Sequence, residues 1–94
     1  MDVTVNDEVS DWVAGQDQDI IDQYNGKCGD AVNDDLTRWR DVGQGVYDYR
    51  VAGLGDLRVV ATKNGDDFNV AAIYRHGSNR GKVKVLGATV ANYG

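Results

Sequence analysis

The stretch that decides the fold is residues 57–75, LRVVATKNGDDFNVAAIYR, with the run Tyr47-Asp48-Tyr49-Arg50-Val51 just ahead of it. In both, apolar and polar residues alternate with a period of two, which puts successive side chains on opposite faces of a strand. Leu57, Val59 and Ala61 alternate with Arg58, Val60 and Thr62, and Tyr47, Tyr49 and Val51 alternate with Asp48 and Arg50. Between Thr62 and Phe68 lies Lys63-Asn64-Gly65-Asp66-Asp67, in which Asn64-Gly65 supplies the two positive-φ residues of a type I′ hairpin. From Asn69 to Arg75 the chain is apolar on both faces, with Val70, Ala72 and Tyr74 expected on one side and Ala71 and Ile73 on the other. That pattern predicts a central strand.

Working outward, Gly53-Leu54-Gly55 turns the chain so that residues 47–51 pair with 57–62. Past Arg75, His76 to Gly81 reads as a loop, Lys82 to Leu86 alternates again, and Gly87 to Tyr93 reads as an edge strand or a loose tail. Before Gly45 the period becomes 3.6. Ile20, Ile21, Tyr24, Cys28, Ala31, Val32, Leu36 and Trp39 make one helical stripe, capped by Asp17 or Asp19 and ending near Gly43. Gly26 and Gly29 mark where that helix could break, between Tyr24 and Ala31. Val9, Trp12 and Val13 form a shorter stripe behind an Asn6 or Asp7 cap, and Asp2 to Val5 alternates like a short first strand. The reading is α+β: a single domain over residues 1–94, with an N-terminal helical hairpin packed on a C-terminal twisted antiparallel sheet of four or five strands.

Composition narrows the function classes. Ninety-four residues allow one core, and 41% hydrophobic with 27% charged residues is ordinary for a globular chain. Cys28 is the single cysteine and His76 the single histidine, so neither a disulfide nor a Cys/His zinc set can form within the chain. No Walker loop, dinucleotide fingerprint or dense calcium loop is present, and nothing calls for a cofactor or metal. With no basic-then-apolar leader and no long apolar span, the expectation is a protein of a reducing, cytoplasmic compartment without a membrane partner.

The formal charge of −5 is unevenly placed. Residues 1–45 hold eleven acids against Lys27, Arg38 and Arg40, a net −8, and residues 46–94 hold four acids against seven Lys and Arg, a net +3. After Asp67 there is no acid, while Arg75, Arg80, Lys82 and Lys84 all follow. The molecule should be electrically two-sided. An Asp-rich, Lys-poor surface also fits a high-salt cytoplasm.

The order strand, two acid-bearing helices, then a run of antiparallel strands resembles the RelE/ParE superfamily of toxin–antitoxin toxins. The residues that carry the resemblance are Leu36 to Gly43, Tyr47-Asp48-Tyr49-Arg50-Val51, Leu57-Arg58-Val59-Val60 and Ala72-Ile73-Tyr74-Arg75-His76-Gly77. The chain departs from the members that cut messenger RNA in being acidic, whereas those are strongly basic. The resemblance implies a protein partner, either an antitoxin or an inhibited target, and RNA as the substrate of a metal-independent endonuclease.

The candidate catalytic residues are Arg50, Arg58, Arg75 and His76. Guanidinium forks in register on neighbouring strands can clamp a phosphate, and a histidine can activate a ribose hydroxyl. Arg80, Lys82 and Tyr93 are the candidate substrate-binding residues at the rim, Tyr93 by resemblance to a late tyrosine presented to RNA. The simpler alternatives are a cross-strand ion pair for Arg50, a surface loop for His76 and packing for Tyr93. A second reading is a non-catalytic acidic inhibitor, of phage or plasmid origin, whose Asp2, Asp7, Asp11, Asp22, Asp30, Asp34 and Asp35 imitate nucleic-acid phosphate in a partner's basic groove.

Overall fold

The computed structural model describes residues 1–77 and 81–94, so Arg80 lies outside the described residues. The described elements are β1 (Asp2–Val5), α1 (Asp7–Ala14), α2 (Gln18–Val32), β2 (Arg40–Gly43), β3 (Val46–Arg50), β4 (Leu57–Asn64), β5 (Asp67–Gly77) and β6 (Gly81–Gly87). The class is α+β, as the periodicities require, but the sheet has six strands among the described residues rather than four or five.

The sheet runs β1-β5-β4-β3-β2, antiparallel except that β1 lies parallel to β5. The long β5 pairs with β4 along one edge; β1 takes residues 67–70 and β6 takes residues 72–77. The strand from Phe68 to Arg75 is central, as its two-sided apolarity indicates, but its faces are not those of simple alternation. Val60 pairs with Ala72 and Ala61 with Val70, so Ala71 is an extra residue in a β-bulge. Val70 and Ile73 therefore face one core, and Ala71, Ala72 and Tyr74 face the other.

The β4–β5 hairpin also differs from expectation. Asn64 pairs with Asp67, leaving Gly65 and Asp66 as the two loop residues. Gly65 has φ of +60° and Asp66 is not among the positive-φ residues. That is the pattern of a type II′ turn, with glycine at its first central position, rather than type I′.

Asn6 caps α1, its side chain accepting from the Glu8 N–H at 2.8 Å. The second helix runs unbroken through Gly26 and Gly29 but stops at Val32, well short of Gly43. Asn33 caps it and Asp34 adopts φ of +59°, which turns the chain out of the helix. The apolar stripe continues to Trp39 because residues beyond the helix still bury there, and Arg40–Gly43 becomes a short strand instead.

Two cores result. On the helix side, Val9, Val13, Ile20 and Ala31 pack on Tyr49, Val51, Leu57, Val59, Ala61, Phe68, Val70 and Ile73. Trp39 closes that core edge-on to Tyr49 and Phe68, both 5.0 Å away, and its indole N–H donates to the Lys27 carbonyl at 3.0 Å. On the opposite sheet face, Val46, Val60, Ala71, Ala72 and Tyr74 are covered by Val90 and Tyr93. Residues 88–94 are thus neither an edge strand nor a loose tail. They cross the sheet as a strap, anchored by Ala88 N–H on the Ala71 carbonyl at 3.0 Å. No helix among the described residues is long and apolar enough to cross a membrane.

Candidate functional site

Residues directly opposite in neighbouring strands share a sheet face, so the register decides which basic residues meet. Arg50 pairs with Arg58, Arg58 with Tyr74, and Tyr74 with Lys84, forming one row across β3, β4, β5 and β6. One step along, His76 pairs with Lys82; one step the other way, Arg40 pairs with Asp48. Tyr74 belongs to the strap-side core, which places this whole group on the face opposite the helices. Arg50, Arg58, His76 and Lys82 do come to one face.

Arg75 does not. It pairs with Leu57 and Val83, and Leu57 lies in the helix-side core, so the expected convergence of all four candidate catalytic residues is corrected to three. The reason is alternation itself, because neighbours on a strand point to opposite sides.

At the centre of the face lies a carboxylate, Asp48, fully buried. Arg40 grips it with two parallel bonds, Nε to Oδ1 at 2.9 Å and Nη2 to Oδ2 at 2.6 Å, and the Tyr93 hydroxyl donates to Oδ2 at 2.6 Å. Arg58 Nη1 stands 4.0 Å from the same oxygen. Burial alone would push the Asp48 carboxyl up, but the Arg40 fork, the Tyr93 hydroxyl and the charges of Arg40 and Arg58 outweigh it and hold the group below the usual carboxylate range. Arg40 is raised in turn, chiefly by its bonds to Asp48.

Tyr93 is fully engaged. Its ring meets Tyr74 edge-on at 4.8 Å and carries Lys82 Nζ 3.9 Å above it, while Tyr74 Oη accepts from the Val90 N–H at 2.9 Å. Burial and the Asp48 carboxylate raise the Tyr93 pKa. The tyrosine expected to meet a substrate is instead buried as a clasp for the strap. Lys82 is depressed below an ordinary lysine, first by burial and then by the charge of Arg40.

The other cations are freer. Arg50 is exposed, and its Nε donates to the Gly55 carbonyl at 2.8 Å, which fixes the guanidinium beside the β3–β4 turn. The expected ion pair to an Asp is made by Arg40, not Arg50. His76 is exposed, and its backbone N–H reaches the Asp56 carbonyl at 3.3 Å. Arg58 is four-fifths buried, yet its Nε has no hydrogen-bond partner among the described residues. A buried donor without a partner is costly, and a charged one more so.

The face therefore gathers Arg40, Arg50, Arg58, Lys82, Lys84 and His76 around one carboxylate. Of the other acids of the strands, Asp2 and Asp67 sit together at the far, hairpin end of β5, and Asp41 pairs with Tyr47, which packs on the helix side. Among the described residues no enclosed pocket is present, and no three His, Cys, Asp or Glu side chains gather as a metal site. What the arrangement can do is hold anions on an open surface. Sequence reasoning missed Arg40, Asp48 and Tyr74 as members of this site, since the alternation places Asp48 and Arg50 on one face without showing that the face is covered. Compared with protein-family models, curated proteins and solved structures, the chain matches none.

Proposed function

We propose that the chain is a RelE/ParE-like toxin-fold protein whose strap-side sheet face binds the phosphate backbone of RNA. The observation that carries this reading is the direct register of Arg50 with Arg58 together with the orphaned Arg58 Nε. An incoming phosphate would meet two guanidinium forks on adjacent strands, and drawing Arg58 outward would bring its sealed-in Nε to a partner. An open basic surface suits a polymer better than a small molecule. The order of one strand, two acidic helices and an antiparallel run supports the same resemblance.

The endonuclease form of the proposal uses His76 as the base that takes the ribose 2′-hydroxyl proton, with Arg50 and Arg58 stabilising the charge that develops on phosphorus. His76 is a diagonal neighbour of Arg58, about 7–8 Å away along the sheet. Arg75 has no part in it. The non-catalytic form uses the same face to inhibit a protein target.

The test is fluorescence polarisation with a labelled single-stranded RNA over a salt series, followed by gel assay of the same RNA. Contacts from Arg50, Arg58 and Lys84 predict a log–log salt slope of about −2. Arg50→Ala with Arg58→Ala should abolish most binding, and His76→Ala should stop cleavage while sparing binding. Unchanged binding by the double variant overturns the reading. Intact binding with uncut RNA leaves the non-catalytic form.

The second reading, phosphate imitation by the helices, is supported by exposed Asp7, Asp11, Asp19 and Asp22 on the side away from the basic face. Asp30 is occupied by Arg38 at 2.6 Å and Asp34 by the Met1 amine at 3.2 Å, which narrows the acidic surface. Changing Asp11 and Asp22 to Asn should slow association with a basic partner at low salt only.

A further inference from the structure

We propose that the outer edge of β6 is a docking strand for an extended, alternately acidic and apolar segment of a partner protein. Among the described residues β6 pairs with β5 along one edge only; the outward N–H of Gly87 is taken by the Glu8 carboxylate at 3.3 Å, so residues 81–86, about 20 Å of strand, offer the outward N–H and C=O groups of alternate residues to an added strand. The opposite edge of the sheet is β2, which is four residues long and irregular between Asp41 and Gly43. A short, distorted edge resists pairing. The β6 edge is longer and its bulge lies at Val85, which leaves Gly81 to Lys84 as a regular stretch.

Val83 is 50% exposed and Val85 46% exposed. They alternate with Lys82 and Lys84, which the register puts on the strap side beside His76 and Tyr74. A strand added at this edge would set its own residues opposite Lys82 and Lys84 on one face and opposite Val83 on the other. Acid, apolar, acid is the sequence that fits. A second copy of this chain does not fit. Two-fold antiparallel pairing of β6 with itself sets Lys82 and Lys84 against lysines of the other copy on the same face, and like charges directly opposite are unfavourable. Charge thus selects an acidic partner over self-association.

This inference goes beyond the RNA reading and stands without it, because its determinants are the backbone edge, Val83 and the pair Lys82 and Lys84, of which the RNA reading uses Lys84 alone. The probe is a labelled peptide, Ser-Asp-Val-Asp-Val-Asp-Ser, measured by fluorescence polarisation and by amide hydrogen exchange of the protein. Controls are the same peptide with alternate backbone amides N-methylated, and a version with Lys for Asp. Binding should bring new exchange protection within residues 81–87, vanish on N-methylation, and weaken about five- to tenfold in Lys84→Glu, which should prefer the lysine peptide. Equal binding by the N-methylated peptide, or protection centred on the Arg50 and Arg58 row, overturns the proposal. So does a dimer of the protein alone that Val83→Asp dissolves.

Discussion

Replacing Asp48 by Asn keeps the shape of the side chain and removes its charge, which makes it the sharpest probe of the basic face. The carboxylate receives two bonds from Arg40 and one from Tyr93, and lies 4.0 Å from Arg58. An amide has one acceptor oxygen, and its NH2 group would face Arg40 donor to donor. Removing one partner of a buried pair costs about 3–5 kcal/mol; with Arg40 53% exposed, water can reach the freed guanidinium, so about 3 kcal/mol applies. For a domain of this size that lowers Tm by roughly 12–24 °C.

The pH dependence has a defined sign. Because Asp48 is held below its ordinary value, the unfolded chain takes up a proton near pH 4 that the folded carboxylate refuses. Its stabilisation is complete above that pH and is lost as pH falls through the folded value. Urea unfolding from pH 2 to 7 should therefore show a steep acid limb in the parent and a flatter one in Asp48→Asn. Adding Arg58→Met to the variant should recover part of the loss, since it removes a cation that no longer has a counter-charge. A loss under about 1 kcal/mol, or an unchanged acid limb, would refute the view that this carboxylate holds the face together.

Three further outcomes are expected. Gly87→Ala should be severely destabilising, because φ there is +86° and a Cβ would lie 2.7 Å from the Ala72 Cα and closer still to the Ala71 carbonyl; calorimetry showing a near-parental Tm contradicts that packing. Gly65→Val should cost about 1–3 kcal/mol in denaturant unfolding, all of it from backbone conformation, since the first central position of a type II′ turn favours glycine and a Cβ at Gly65 meets nothing within 4 Å. Tyr93→Phe should lose about 1–3 kcal/mol by leaving Asp48 short of a donor, and should soften the alkaline unfolding that the parent shows above pH 10, where the unfolded chain ionises a tyrosine that the fold keeps protonated; identical alkaline limbs in denaturation curves count against it.

Much of the sheet was legible because alternation and turn residues agree from Tyr47 onward. Alternation assigns residues to faces, however, and does not say which face will be covered. Asp48 and Arg50 share a parity that reads as solvent, yet the strap buries the first and leaves the second exposed. The covering segment, residues 88–94, offers just two apolar anchors, Val90 and Tyr93, too few for any periodicity. The bulge at Ala71 was hidden for a different reason. A run of small apolar residues looks the same from either side, so one extra alanine shifts every later face without a trace in the pattern. The end of α2 was misplaced because Trp39 continues the helical spacing while packing from an irregular segment. Arg75, by contrast, was readable: adjacency to His76 on a strand already sets the two apart.

The divided edge of β5 also sets an order in time. The hairpins β3–β4, β4–β5 and β5–β6 close over short loops, and can assemble as soon as their residues are present. Asp2 must wait for Asp67 before β1 has any neighbour, and α1 and α2 have little sheet to lie on until then. During synthesis the acidic half therefore leaves the ribosome first and docks last. The first strand of the chain is the latecomer that locks the finished sheet.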